Sequence, residues 1–123
     1  MGGALALTLN LAIKDINDAG RVLGSNVTVE HAYSCDGDHA EVATQSVTDL
    51  ISTKVQVVIG SASSTVTLTG IDDVTAAKIV QISSANTATK LSGYSPFYFR
   101  TAQPDDQAGR PSRTWSRSSP SAR

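Results

Sequence analysis

The stretch VQVVIGSASS, residues 55–64, decides the fold class of this chain. Its first half is a short run of mostly β-branched, apolar residues, which is typical of a strand buried in a parallel sheet. Its second half is a glycine followed by hydroxyl side chains, and a helical pattern with apolar residues at positions 66, 68, 71 and 74 comes next. A buried strand that ends in a polar loop and continues as a helix predicts a βα unit.

The same alternation extends in both directions along the chain. Apolar residues at positions 5, 9, 12, 13 and 16 fall on one face of a predicted amphipathic helix, and a second such face runs from position 40 to 51. Further strands are predicted near 27–33, 79–82 and 97–100, and a helix is expected to begin at Pro104. Strands that alternate with helices in this way indicate an α/β fold with a doubly wound parallel sheet.

Length and charge divide the chain into two parts. Its 123 residues suffice for one domain with a core, and they are 40% hydrophobic and 17% charged, which is an ordinary composition. Residues 1–109 carry a net charge of −5, whereas residues 110–123 contain four arginines, no acidic residue and no hydrophobic period. We therefore expect a partial domain over 1–109. The Arg/Ser/Pro tail over 110–123 is expected to be disordered or frame-shifted rather than a nucleic-acid-binding tail.

Motifs for catalysis and cofactor binding are absent from the sequence. The segment 60–64 has serine where a nucleophile elbow, G-x-S-x-G, requires its second glycine, and no phosphate-binding glycine loop occurs. One group of possible metal ligands, whose spacing matches no zinc pattern, comprises His31, Cys35, Asp36, Asp38 and His39. These observations argue against an enzyme, a cofactor and a metal site. We also recognise no signal peptide and no membrane-spanning run.

Hydroxyl side chains cluster after two successive predicted strands. The first group is Ser61, Ser63 and Ser64, and the second is Ser83, Ser84 and Thr87. Because the carboxyl ends of parallel strands meet at one edge of a sheet, both groups can face the same ligand. Hydroxyls donate and accept hydrogen bonds, and a helix N-terminus favours a carboxylate, so the groups suit a zwitterion. Helix capping would explain each serine separately, but the pairing of two strand ends favours a binding site.

Four segments, taken in order, resemble the branched-chain amino-acid-binding family of type 1 periplasmic (solute-)binding proteins. They are residues 11–20 (LAIKDINDAG), 58–64 (VIGSASS), 82–87 (ISSANT) and 99–107 (FRTAQPDDQ). The resemblance covers roughly residues 4–109 and implies a partial N-terminal lobe with a Rossmann-like sheet. The family's first strand is expected to precede Met1, and its second lobe, which closes over the ligand, is expected to lie outside this sequence.

The resemblance also implies which residues contact a ligand. Ser64 is expected to bind the ligand carboxylate, Ala85 and Thr87 to hold the carboxylate and ammonium, and Ala62 and Ser63 to line the same loop. The implied protein is periplasmic or at the cell surface. It passes an amino acid, branched-chain or similar, to the permease of an ABC importer, and it has no nucleic-acid partner. Two other functions stay open, namely the ligand-sensing ectodomain of a receptor with the same fold and a flavodoxin-like enzyme domain.

Overall fold

The computed structural model describes residues 2–32 and 39–107, with side chains from residue 6 onward. In chain order the elements are α1 (Gly2–Asp18), α2 (Ala40–Ser52), β1 (Val57–Ile59), α3 (Ser64–Ala76), β2 (Val80–Ser83), one 3₁₀ turn (Thr89–Leu91) and β3 (Tyr98–Arg100). The predicted tail, 110–123, and the segment that contains Cys35 lie outside the described residues. No helix in the described part is both long and apolar enough to cross a membrane.

The three strands form one parallel sheet in the order β1-β2-β3. Val57 lies opposite Val80 in the first pair of strands, and Ile82 lies opposite Phe99 in the second. Parallel neighbours need long crossover connections, which here are α3 and the segment with the 3₁₀ turn. This sheet confirms the predicted α/β class, and its strands lie within one or two residues of those predicted around 55–59, 79–82 and 97–100.

Two lysines make the sharp turns from helix to strand. Lys54 and Lys78 both adopt left-handed backbone conformations, with φ of 57° and 56°, just after the last residues of α2 and α3. Their backbone N–H groups donate to Ile51 and Thr75, and these bonds close the final turns of the two helices. Each of the two helices is therefore joined to the following strand by a short, tight turn.

The core lies between α3, the 3₁₀ turn and β3. Ile71, Leu91 and Tyr98 form its buried cluster. Gly70 of α3 is buried against α2, where a Cβ atom would come within 2.5 Å of Cγ2 of Val47. The glycine that interrupts the helical pattern in the sequence thus allows a close contact between the two helices.

The predicted strand over 27–33 is wrong for residues 27–32, which form no strand, and residue 33 lies outside the described part. A strand requires a neighbour for its backbone N–H and C=O groups, and the described residues place none beside this segment. Instead the side chain of Asn17 bonds both backbone groups of Val27, at 2.8 and 2.9 Å. Alternating, β-branched residues are therefore not sufficient to form a strand when no neighbouring strand pairs with them.

The expected helix at Pro104 is a single turn within the described residues. The amide of Gln107 donates to the carbonyl of Pro104 at 2.9 Å, and the description ends at that residue. The amide of Asp105 also donates to Thr87, so this turn lies beside the loop that follows β2.

Candidate ligand-binding site

Two loops leave the carboxyl ends of neighbouring strands and meet at one edge of the sheet. The serine loop, residues 60–63, follows β1, and the asparagine loop, residues 84–88, follows β2. The hydroxyl of Ser64, the first residue of α3, joins them because it accepts the backbone N–H groups of Thr87 and Ala88 at 3.3 Å each. The structure thus brings Ser64 and Thr87 together, as expected of loops from parallel strand ends.

The first turn of α3 presents unpaired N–H groups at this edge. Ser63 caps the helix, since its hydroxyl accepts the amide of Val66 at 3.5 Å. The amides of Ser64 and Thr65 have no acceptor among the described residues, as is usual in a first helical turn. No acidic side chain lies in this turn to offset the helix dipole. This end of α3 therefore favours an anionic group such as a carboxylate.

Two hydroxyl groups remain able to donate at the same edge. The Ser64 hydroxyl accepts two amides, which leaves its own hydrogen for an outside acceptor. Thr87 is exposed, and its side chain has no partner in the described part of the chain. The carbonyl of Thr87 accepts the amide of Asp105 at 2.9 Å and has a second lone pair. These hydroxyl and carbonyl groups therefore offer both donors and acceptors, and none of them is charged.

A fully buried asparagine holds the two loops together beneath this edge. Asn86 donates through Nδ2 to the carbonyls of Ser61 and Ala62, at 3.0 and 3.1 Å. Its Oδ1 accepts the hydroxyls of Thr67 and Tyr98, at 2.7 and 2.9 Å. All four hydrogen-bonding positions of the amide are used. Because an unpaired buried amide costs free energy, these bonds hold the two loops at a defined spacing.

Ser83, the last residue of β2, adds a second bridge between the loops. Its buried hydroxyl donates to the carbonyl of Ser61 at 2.8 Å and accepts the amide of Asn86 at 3.2 Å. Ser83 was one of the hydroxyls predicted to face a ligand. The structure gives it an internal role, because both its hydrogen and its lone pairs are used within the chain.

The third strand contributes two side chains that anchor the asparagine loop, one at its middle residue and one at its last. Burial raises the pKa of Tyr98, and this outweighs the opposite effects of the Arg100 charge and of a hydrogen bond with Ser83. The phenol is therefore protonated at neutral pH and can donate to Asn86. Arg100 donates through one guanidinium N–H to the carbonyl of Ala88 at 2.8 Å.

The other residues predicted to contact a ligand already use some of their polar groups in hydrogen bonds within the chain. Ala62 is half-buried and its carbonyl already accepts from Asn86. The hydroxyl of Ser63 serves the helix cap. Ala85 is exposed, and its amide faces the hydroxyl of Ser83 at 3.4 Å. Of the five predicted residues, Ser64 and Thr87 keep the most hydrogen-bonding capacity for a ligand, and the contacts of all five stay predictions.

Sequence reasoning missed the residues that form the network. Thr67 had a usable signal, because it lies four and seven positions before the buried Ile71 and Val74 and so places a hydroxyl on the inner face of α3. For Asn86 and Tyr98 the sequence contains no comparable signal. Their importance comes from contacts between segments 12 to 25 residues apart.

The family of the chain follows from comparison with known proteins. A model of the family described as periplasmic binding protein matches residues 1–119. The chain belongs to this family. The resemblance of the sequence to periplasmic binding proteins with the type 1 fold is thereby confirmed.

One solved structure has the same fold over most of the chain. It is the branched-chain amino acid transporter substrate binding protein LivJ from Streptococcus pneumoniae, in complex with isoleucine. The two sequences are 28% identical and superpose with a TM-score of 0.67 over 78% of this chain, which is 27% of the pneumococcal one. A comparison with curated proteins finds no match. This periplasmic binding protein chain therefore spans about a quarter of its structural neighbour.

Family membership bears on several expectations about function. The family and the structural neighbour are binding proteins rather than enzymes, and the family is extracytoplasmic. In the described residues, no group of three or more His, Cys, Asp or Glu side chains could hold a metal ion. The division of the chain at residue 109 stays a prediction.

Proposed function

We propose that this chain is part of an extracytoplasmic solute-binding protein that captures an amino acid, a branched-chain one, for an ABC importer. The observation that carries the proposal is the meeting of unpaired α3 amides with the hydroxyls of Ser64 and Thr87 at one edge of the sheet. The isoleucine bound by the structural neighbour supports an amino acid of this class. The permease of the importer is the partner to which the ligand would be delivered.

The ligand carboxylate would lie at the first turn of α3. The amides of Ser64 and Thr65 point toward this position from the positive end of the helix dipole, and the Ser64 hydroxyl adds a third donor. The ammonium group would lie on the asparagine loop, where the carbonyls of Ala85 and Thr87 can accept its hydrogens. The buried network of Asn86 would keep the two halves of this site at a constant distance.

The described residues supply one side of such a site. Family members close two lobes around a ligand, so a single lobe makes about half of the contacts and leaves the ligand in water. A half set that contributes about 3–4 kcal/mol corresponds to a dissociation constant of roughly 1 mM or weaker. We therefore expect weak binding by this chain and tight binding only when a second lobe completes the site.

Titration with L-isoleucine, followed by the backbone amide resonances of the ¹⁵N-labelled chain, tests the site. We expect shifts at Ser64, Thr65 and Thr87, with half-saturation at about millimolar concentration or above.

A chimera that joins the chain to the second lobe of the pneumococcal neighbour should bind far more tightly. In that chimera Ser64→Ala should weaken binding by about 1–3 kcal/mol, because two backbone N–H groups and the ligand lose a shared partner.

Ser52→Ala is the matched control, since this exposed serine lies at the C-terminal end of α2 and its hydroxyl donates only to Asp49. It should leave the isoleucine affinity of the chimera unchanged. Undiminished binding by Ser64→Ala, in a chimera that binds tightly, would place the ligand on another surface.

A further inference from the structure

One acidic residue, Asp105, is bonded through its backbone to the loop on which the ligand ammonium would lie. The amide of Asp105 donates to the carbonyl of Thr87 at 2.9 Å. Covalent geometry keeps the carboxylate of the same residue within about 5 Å of this amide nitrogen in every rotamer. The carbonyl of Thr87 has a second lone pair for an ammonium hydrogen. A negative charge therefore lies within one side-chain length of an acceptor that the ammonium can use.

The carboxylate of Asp105 has no partner in the part of the chain that the structure describes. Asp105 is exposed, and its side chain forms no hydrogen bond or ion pair with any other of residues 2–32 and 39–107. Arg100, at the end of the preceding strand, donates instead to the carbonyl of Ala88 and the hydroxyl of Ser92. An acid in a first helical turn also offsets the helix dipole, and that effect would be the same for every ligand.

The two halves of the proposed site differ in how well they suit a charged ligand group. At the first turn of α3, the free amides and the Ser64 hydroxyl are donors at the positive end of a helix dipole, which suits a carboxylate. On the asparagine loop, the acceptors for the ammonium are the neutral carbonyls of Ala85 and Thr87. An ammonium bonds more strongly to a carboxylate than to a neutral oxygen. Asp105 is placed to supply the charge that the asparagine loop itself does not contain.

We propose that Asp105 is a specificity-determining residue of this lobe, whose carboxylate pairs with the ammonium held at the Thr87 carbonyl. The inference rests on the proposed function, because it requires an amino acid at this edge of the sheet. It also states which ligands the edge disfavours. An α-hydroxy acid or an α-keto acid with the same side chain carries only a negative charge, so Asp105 would repel it instead of attracting it.

The test compares L-isoleucine with the α-hydroxy acid of the same configuration and side chain, in which a hydroxyl replaces the ammonium. Each ligand is titrated into the full ¹⁵N-labelled chain, and the Ser64 amide resonance reports occupancy of the carboxylate position. Asp105→Asn should weaken isoleucine binding about two- to fivefold, the range of an exposed ion pair. It should leave binding of the α-hydroxy acid unchanged or slightly tighter, because a like charge is removed. Asp105→Glu keeps the charge and should retain more of the isoleucine affinity than Asp105→Asn does.

Asp106→Asn is the matched control, since Asp106 is exposed in the same turn and its amide donates to no residue of the asparagine loop in the described part of the chain. It should leave both affinities unchanged. Equal isoleucine binding by the wild type and Asp105→Asn would overturn the inference and leave the proposed function in place. So would an equal loss for both ligands, or an equal loss in the Asp106 control. If isoleucine causes no saturable shift in the wild type at about 100 mM, the proposed function fails as well.

Discussion

Two regions of the molecule differ in how firmly tertiary contacts hold them. They are the N-terminal region, residues 2–32, and the network around Asn86. In α1, Ile16 of the predicted apolar face is 43% exposed, and Leu7 and Leu11, which lie outside that face, are 73% and 61% exposed. The larger packing contacts join α2 to α3 and the strands to one another, and α1 takes part in none of them. Asn86, in contrast, is fully buried and makes four side-chain hydrogen bonds.

The difference shows that a strong local pattern does not guarantee a packed element. The helical period of α1 is clear in the sequence, yet an amphipathic helix gains most of its stability only when another surface covers its apolar face. The asparagine loop has no periodic pattern, yet its residues are held firmly because each polar group finds a partner within the chain. Three substitutions test this contrast, from the largest expected effect to the smallest.

Asn86→Ala should lower the free energy of unfolding by about 3–5 kcal/mol. It leaves the Tyr98 hydroxyl and the Ala62 carbonyl without their partner and removes one of the two partners of the Thr67 hydroxyl, which also contacts the Ser61 hydroxyl. Each unpaired buried group costs about 1–3 kcal/mol. Urea unfolding followed by circular dichroism measures the change. The same substitution at Asn10, which is exposed on α1, should change stability by less than about 0.5 kcal/mol. A loss below about 1 kcal/mol at Asn86 would show that the network does not hold the loops.

Tyr98→Phe should cost about 1 kcal/mol near pH 8, because Asn86 loses one of the two hydroxyls at its Oδ1. Burial raises the pKa of Tyr98 above the value of about 10 expected in the unfolded chain. The stabilisation from the neutral phenol is therefore complete below pH 10 and is lost as the pH rises through the folded-state pKa. Unfolding midpoints measured at pH 8 and pH 11 should show the difference between wild type and variant shrinking. A difference that stays constant across this range would contradict the buried, neutral phenol.

Leu7→Ala should change the free energy of unfolding by no more than about 0.5 kcal/mol, because the side chain is mostly in solvent. The same change at a leucine buried in a core lowers the free energy of unfolding by about 2–5 kcal/mol. Leu91→Ala, in the buried cluster with Ile71 and Tyr98, is the corresponding comparison. Equal losses at positions 7 and 91 would remove the contrast between the two regions.

Much of the fold could be predicted from particular stretches of the sequence. The run at 55–59 is too short for a helix and too apolar for a loop, so it predicts a buried strand, and the hydroxyl-rich segment after it predicts the edge of the site. Ser64 and Thr87 were expected at one edge because parallel strands end on the same side of a sheet. The segment 27–32 shows the limit of such patterns, because its alternation is that of a strand whereas pairing depends on a neighbour.

By itself, the sequence determined the order and type of the helices and the parallel strands, since apolar periodicity is a local property that each segment carries with it. It also placed serines at strand ends, where helix N-termini and hydroxyls meet. Only the tertiary structure decided which polar groups form hydrogen bonds within the chain and which stay available to a ligand. Ser83 is the last residue of β2 and Ser64 is the first residue of α3, but Ser83 is buried with its hydrogen donated to Ser61, whereas Ser64 keeps its hydrogen free. That distinction depends on partners up to 24 residues away, which no local pattern encodes.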